Sequence, residues 1–281
     1  MNALALGLIA ALCWGFQDIC IRFFSQRTPV SACIFTVLLA GLIFQSVVTV
    51  ATGTLQPVPT AATGYALAAG FCFVFATFGL FYAFQRGPVR LVAPMVASYP
   101  ILSLSWAAIE GVSISFAQLV AVFCIVAGVG SVAALSDTSE DNTPGKGITI
   151  LLAGMSAAGF AATFALGQHA AELSHEQPST LLARAFAFAL ISTIFLVFRQ
   201  KLWPGKAALP WLIAMGIADG IALLCVLSAG ALPDAQYASV SSSLFGLMTI
   251  LLAWLFLKER MTLAQWAGCL VAFAGVGYLA L

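Results

Sequence analysis

Residues 118–130 read QLVAVFCIVAGVG and residues 265–277 read QWAGCLVAFAGVG, with Gln, Ala, Gly, Val and Gly in the same register. A repeat of this kind is sought first, because missing one misreads the whole fold. Two weaker matches accompany it. LCWGF at 12–16 resembles SAAGF at 156–160, and the segment 65–87 matches 211–233 in length, although the register slips by a few residues between the fourth and fifth helices of each half.

Of the 281 residues, 62% are hydrophobic and 7% charged, whereas soluble domains carry about a quarter charged residues. A soluble globular protein is therefore excluded. Apolar runs of about 20 residues follow one another, each long enough to cross roughly 30 Å of hydrocarbon at about 1.5 Å per residue. The expected spans are 3–25, 30–52, 62–85, 88–109, 113–135, 147–172, 177–198, 207–231, 234–257 and 262–281. The first lacks a basic start and leads at once into a second span, so it is expected to be retained rather than cleaved.

The longest polar interval, SDTSEDNTPGK, separates five spans from five. An odd number of spans forces the second copy to enter the membrane from the opposite side. The fold expected is an all-α membrane protein of ten transmembrane helices in two inverted five-helix repeats, residues 1–135 and 147–281, joined by a loop at 136–146. Inverted repeats characterise secondary transporters, which bind solutes near mid-membrane where the halves meet and open by alternating access.

The positive charges orient the chain. The odd connections hold Arg22 and Arg27, then Arg86 and Arg90, then Lys146, then Arg199, Lys201 and Lys206, then Lys258 and Arg260, while the even ones hold no lysine or arginine. Of 11 basic residues only Arg184 lies within a span away from its ends. By the positive-inside rule the odd connections are cytoplasmic and both termini lie outside, in the cell (inner) membrane. The seven cysteines, Cys13, Cys20, Cys33, Cys72, Cys124, Cys225 and Cys269, lie within spans without CxxC spacing, which fits packing rather than metal or redox chemistry.

The tryptophan–glycine pair Trp14–Gly15 and the stretch LLAWLFLKERMTLAQWAGCLVAFAGV at 251–276 resemble the EamA-type transporters of the drug/metabolite transporter superfamily. That family's glutamate-then-glutamine pattern falls on Glu259 and Gln265, with Glu110 and Gln118 as a looser first-half counterpart. The resemblance covers the whole chain and implies ten spans in two repeats, with the fourth and ninth helices lining a central cavity. It implies cavity positions for Tyr99, Trp106, Tyr237 and Ser241, and export of a small metabolite. Familiar members often carry basic residues after the second span, whereas residues 53–61 have none.

A charge at the bilayer centre costs at least about 2.5–3.5 kcal/mol on insertion scales, so such residues face a cavity or a partner. Asp219 is the deepest, inside GIADG at 216–220, a small-xxx-small pattern that lets helices approach. It is read either as a proton carrier or amino-group acceptor, or as a structural acid satisfied by a hydroxyl or by Arg184. Arg184 lies at a depth within roughly 8 Å of it by helical rise. Together the two could hold a zwitterion, since arginine's fork matches a carboxylate; the alternatives are snorkelling and a structural ion pair.

Asp18 lies four residues from both Trp14 and Arg22, so it is either the acid of an Asp18–Arg22 pair or a site of proton coupling. His169, between Gln168 and Glu172, is either a proton shuttle or interfacial. Span four places Met95, Tyr99, Ser103, Trp106 and Glu110 on one stripe, and span nine does so with Asp234, Tyr237, Ser241, Phe245 and Met248. Tyr82 lies near the cytoplasmic mouth.

The candidate substrate-binding residues are thus Trp14, Tyr82, Tyr99, Trp106, Arg184, Asp219, Tyr237 and Ser241, and the candidates for proton coupling are Asp18, His169 and Asp219. Aromatic rings with polar tips suit an amphipathic organic solute such as an amino acid. Alternatives are a lipid-linked or nucleotide-type solute, which would need a more basic cavity, and a passive channel or membrane sensor. No glycine loop for phosphate, no metal-ligand spacing and no nucleotide-holding domain is present in the sequence, so no enzyme, cofactor or nucleic-acid partner is expected. The partners expected are the bilayer, a small-molecule substrate and a coupled proton, with monomer and homodimer both open. A reporter enzyme active only in the cytoplasm is expected to be silent when fused after Leu281; activity there would invert the topology.

Overall fold

A computed structural model describes residues 2–109, 111, 113–135, 146–230 and 241–279. The helices are α1 (Ala3–Phe24), α2 (Val30–Ala51), α3 (Thr60–Arg86), α4 (Val89–Ala97), α5 (Tyr99–Ile109), α6 (Phe116–Leu135), α7 (Lys146–Glu172), α8 (Glu176–Val197) and α9 (Leu209–Gly230). They are followed by α10 (Phe245–Leu252), which runs into a π-helical turn at Ala253–Leu257, and by α11 (Leu263–Leu279). Among the described residues six helices are long and apolar enough to cross a membrane, and Phe116–Val132, Ser241–Leu257 and Leu263–Tyr278 are shorter apolar helical stretches. Large apolar side chains such as Val47, Phe123 and Leu151 stand outward, as expected where the surrounding solvent is hydrocarbon.

Two expected spans are interrupted. The fourth is two helices, α4 and α5, with a turn at Ser98 whose N–H and Oγ both donate to the Met95 carbonyl. Pro100 offers no N–H to continue the α4 ladder and sits in the first turn of α5, where none is needed. The stripe that begins with Met95 and Tyr99 therefore crosses from one helix to another and is not one helix face. The ninth span is broken by a turn at Leu244 and by the π-helical turn, which ends at Lys258 in the left-handed region (φ 55°). Residues 231–240, with Asp234 and Tyr237, and Glu110 lie outside the described residues.

The small residues do the close packing. At Gly128 a Cβ would lie 2.5 Å from the Gly268 carbonyl and 2.7 Å from the Ala272 nitrogen, and at Gly275 one would lie 2.7 Å from the Ala121 carbonyl and 3.3 Å from the Ile125 nitrogen. α6 and α11 thus cross antiparallel, and superposing Gln118 on Gln265 exchanges the first contact for the second. A second pair behaves likewise. Gly70 on α3 meets Ala183 and Phe186 of α8, while Gly216 on α9 meets Val37 and Ala40 of α2. The register that superposes position 65 on 211 carries each of these residues onto its counterpart.

Helix starts repeat too. The Ser115 N–H donates to Gln118 Oε1 (2.8 Å) and the Gln118 N–H to Ser115 Oγ (3.3 Å), and Thr262 and Gln265 exchange the same bonds at 2.9 and 3.2 Å. Both are capping boxes, in which the third residue of the helix reaches back to its cap. The paired glutamines of the repeat are thus helix-start residues, and Gln265 also donates to the Leu135 carbonyl at 3.1 Å.

Connections 1, 3, 7 and 9 meet at one face. Arg22 donates to the carbonyls of Phe84 (2.9 Å) and Gln85, Gln85 donates to the Ser25 carbonyl, Ser31 to the Lys201 carbonyl, and Arg90 to the Arg260 carbonyl (2.8 Å). Pro88 is the N-cap of α4 rather than its first residue, and a proline has no side-chain acceptor. Glu259 supplies one from across the bundle: Oε1 accepts from the Val89 N–H (3.1 Å) and Oε2 from the Arg90 N–H (3.3 Å), with Arg22 Nε 3.9 Å away. A carboxylate at a helix start satisfies orphan donors and meets the positive end of the dipole. At the opposite face Thr54 bonds Gln177, and Tyr65 packs on His169.

Gly128→Ala is expected to lower stability by about 1–3 kcal/mol, the usual cost of overpacking. Gly130→Ala, where a Cβ meets nothing within 4 Å, serves as control. Thermal unfolding in detergent distinguishes them, and equal melting temperatures would show that α6 and α11 do not pack this closely.

Candidate functional site

Gly41 on α2 and Gly216 on α9 leave room for a guanidinium between α2, α8 and α9. A Cβ at Gly41 would lie 3.1 Å from Arg184 Nη1 and 3.3 Å from the Gly216 carbonyl. Arg184 enters from α8 and Asp219 from α9, and Arg184 Nη2 stands 2.6 Å from Asp219 Oδ2. The other carboxylate oxygen, Oδ1, accepts the indole N–H of Trp14 from α1 at 3.2 Å. Both side chains are mostly covered, 14% and 19% exposed. Bonded to both, the carboxylate has a charged or polar donor on each oxygen inside the bundle.

Aromatic rings extend this polar centre. The Arg184 guanidinium lies 6.0 Å from the Phe73 ring centroid, Phe73 packs against Phe160 (6.2 Å), Phe160 stacks on Phe164 (6.2 Å), and Phe164 meets Tyr99 (5.3 Å). On the other side Trp14 makes an edge contact with Phe245 at 6.0 Å. Residues from α1, α3, α5, α7, α8, α9 and α10 thus form one lane that runs from Phe245 through the ion pair to the phenol of Tyr99.

Next to it, Asp18 is buried (4% exposed) and accepts a hydrogen bond from Thr249 Oγ1 at 2.9 Å. It bonds across to α10, not down its own helix to Arg22, which turns to the Phe84 carbonyl and Glu259. Gly15 brings this about: a Cβ there would sit 3.1 Å from Met248 Cβ and 3.2 Å from the Thr249 nitrogen. In the Trp14–Gly15 pair, the tryptophan holds Asp219 and the glycine admits α10.

The other sequence candidates fall elsewhere. Tyr82 stacks on Phe78 (6.2 Å), which in turn packs on Phe195. Ser241 is buried and donates to the Leu4 carbonyl at 3.2 Å; with Phe245 on Trp14 and Met248 on Gly15, this stripe of the ninth span packs along α1. His169 is half-exposed at the end of α7, 3.5 Å from Glu172 Oε2. Trp106 lies on α5, its side chain outside the described residues, and Tyr237 lies outside them altogether. Sequence reasoning missed Gly41 and Thr249; Gly41 carries no signal beyond a small residue four positions from Val37, and Thr249 none at all. Among the described residues no three His, Cys, Asp or Glu side chains converge where a metal could sit.

A sequence profile of the EamA-like transporter family matches residues 1–133 and again 147–281. No curated protein matches the chain. Solved structures do: one described as "Crystal structure of protein" superposes with a TM-score of 0.66 at 16% identity, over 98% of this chain and 94% of its own. At that identity the likeness speaks for the fold alone.

Arg184→Ala leaves the Asp219 carboxylate with the Trp14 N–H alone. Its expected cost approaches the roughly 3–5 kcal/mol of a half-removed buried pair, lessened by residual exposure. The double variant Arg184→Ala with Asp219→Asn removes both charges and is expected to melt higher than Arg184→Ala. Equal melting temperatures would mean that the two side chains do not neutralise each other.

Proposed function

The chain belongs to the EamA-like transporter family of the drug/metabolite transporter superfamily, and on that premise we propose that it moves a small zwitterionic metabolite, an amino acid or close relative, across the membrane by alternating access. The observation that carries this is the Arg184–Asp219 pair, held by Trp14 and continued by an aromatic lane to Tyr99. A substrate carboxylate takes the guanidinium while its ammonium takes Asp219, and apolar side-chain atoms lie along the rings.

The charge balance suits a carrier. With no substrate the pair neutralises itself, and with a zwitterion the site holds two opposite pairs and again no net charge. Both the empty and the loaded carrier can therefore change conformation without exposing a bare charge to hydrocarbon. A singly charged solute leaves one net charge in the site and is disfavoured.

Ten helices in two inverted repeats supply the two conformations. The exchange symmetry of the Gly128 and Gly275 contacts, and of the Gly70 and Gly216 contacts, supports that arrangement. Both termini lie outside the inner membrane and transport runs outward, with the basic connections in the cytoplasm. Proton coupling is assigned to Asp18, a buried acid at the α1–α10 contact whose partner is a single hydroxyl. Asp219 serves the ion pair and the substrate ammonium instead, and His169 is half-exposed at the end of α7.

Counterflow into proteoliposomes loaded with mixed amino acids tests this. Saturable counterflow is expected for the intact protein, with a loss of at least about tenfold in Arg184→Ala and Asp219→Asn, the factor that about 1.4 kcal/mol of lost binding gives. Asp18→Asn is expected to keep counterflow but no longer to respond to an imposed pH gradient. Full counterflow in both site variants would refute the zwitterion site, and non-saturable flux would indicate a channel.

A further inference from the structure

The π-helical turn at Ala253–Leu257 opens a cleft that the transport site does not use. It has a volume of about 330 Å³ and is lined by Trp254, Leu255, Lys258, Glu259 and Arg260. π-turns are rare and concentrate at functional positions. Here the turn ends in the left-handed conformation at Lys258, which brings two cations, separated by one acid, onto the rim of the basic face.

Charge makes the cleft selective. Glu259 is spent: its two oxygens take the Val89 and Arg90 N–H groups, with Arg22 beside it. Lys258 and Arg260 are exposed, and among the described residues neither side chain has an acidic partner. The Arg260 carbonyl, by contrast, is fixed by Arg90, so the connecting segment that carries both cations is held in place. The lining therefore has two uncompensated positive charges. Next to them Trp254 (56% exposed), Leu255 and Phe256 stand outward on the last helical turn, where an indole sits at the level of lipid headgroups and apolar side chains meet acyl chains.

We propose that this cleft binds the phosphate headgroup of an anionic phospholipid, with Lys258 and Arg260 on the phosphate, Trp254 at the glycerol level and Leu255 and Phe256 along the chains. A free phosphate would meet the cations but leave the apolar wall empty. A zwitterionic headgroup would bring its own cation against theirs. The site flanks Glu259, the residue that ties the ninth–tenth connection to the start of α4, so a bound headgroup steadies that tie by compensating the cations on either side of it.

Native mass spectrometry of the full chain in detergent, titrated with phosphatidylglycerol or phosphatidylcholine, tests the proposal. One phosphatidylglycerol is expected to stay bound under conditions that strip phosphatidylcholine. Lys258→Gln and Arg260→Gln should each weaken it about fivefold, and the double variant about thirtyfold, since each cation near a lipid surface contributes such a factor. Lys201→Gln with Lys206→Gln, on another connection of the same face, should leave it unchanged. The proposal is overturned if the cleft variants retain phosphatidylglycerol, if the control loses it equally, if phosphatidylcholine binds as well, or if inorganic phosphate displaces the lipid at equal concentration.

Discussion

A carboxylate cannot stand bare in hydrocarbon, and the middle of this bundle is arranged around that fact at Asp219. Its neutralisation needs a guanidinium within hydrogen-bond reach and an N–H on the other oxygen, so α8 and α1 must both close on α9. They can do so only where no side chain intervenes. Gly41 and Gly216 leave that space, and α2 packs on α9 as closely as α3 packs on α8. The site and the glycine packing are one constraint seen from two sides.

The same logic acts at the basic face with water nearby. There the groups needing partners are backbone groups at helix ends rather than buried charges. Glu259 closes the start of α4, Arg22 and Gln85 take up carbonyls of neighbouring connections, and Arg90 takes one from the ninth connection. At the other face the described links between connections are fewer, chiefly threonine hydroxyls on Gln177. Among the described residues, then, the basic face carries the denser set of side-chain ties between connections.

Much of the fold was legible because its physics is local. Apolar length marks a span wherever it occurs, and the starts of α1, α2 and α6 through α9 fall within about three residues of those read from hydropathy. Gln118 and Gln265 stood out as a register match, and both close a capping box that involves only three neighbours. The break at Ser98 was less visible, since Pro94 and Pro100 each admit either a kink or a helix start. Of the stripe drawn along the ninth span, Ser241, Phe245 and Met248 each meet α1, although the turn at Leu244 separates the first from the other two. Periodicity tells which residues share a face and not what that face meets.

Sequence alone determined that this chain lives in a membrane, that it is built of two related halves, that its basic residues mark alternate connections, and that Arg184 and Asp219 need each other or a ligand. All of that follows from hydrophobicity, repetition and the cost of charge, which act along the chain or through the bilayer. Tertiary structure alone decided that Trp14 completes the pair, that Asp18 turns to Thr249, and that Glu259 caps a helix about 170 residues away in sequence. Those contacts join helices whose relative rotation and depth are set by which small residues face each other, and no single segment carries that information.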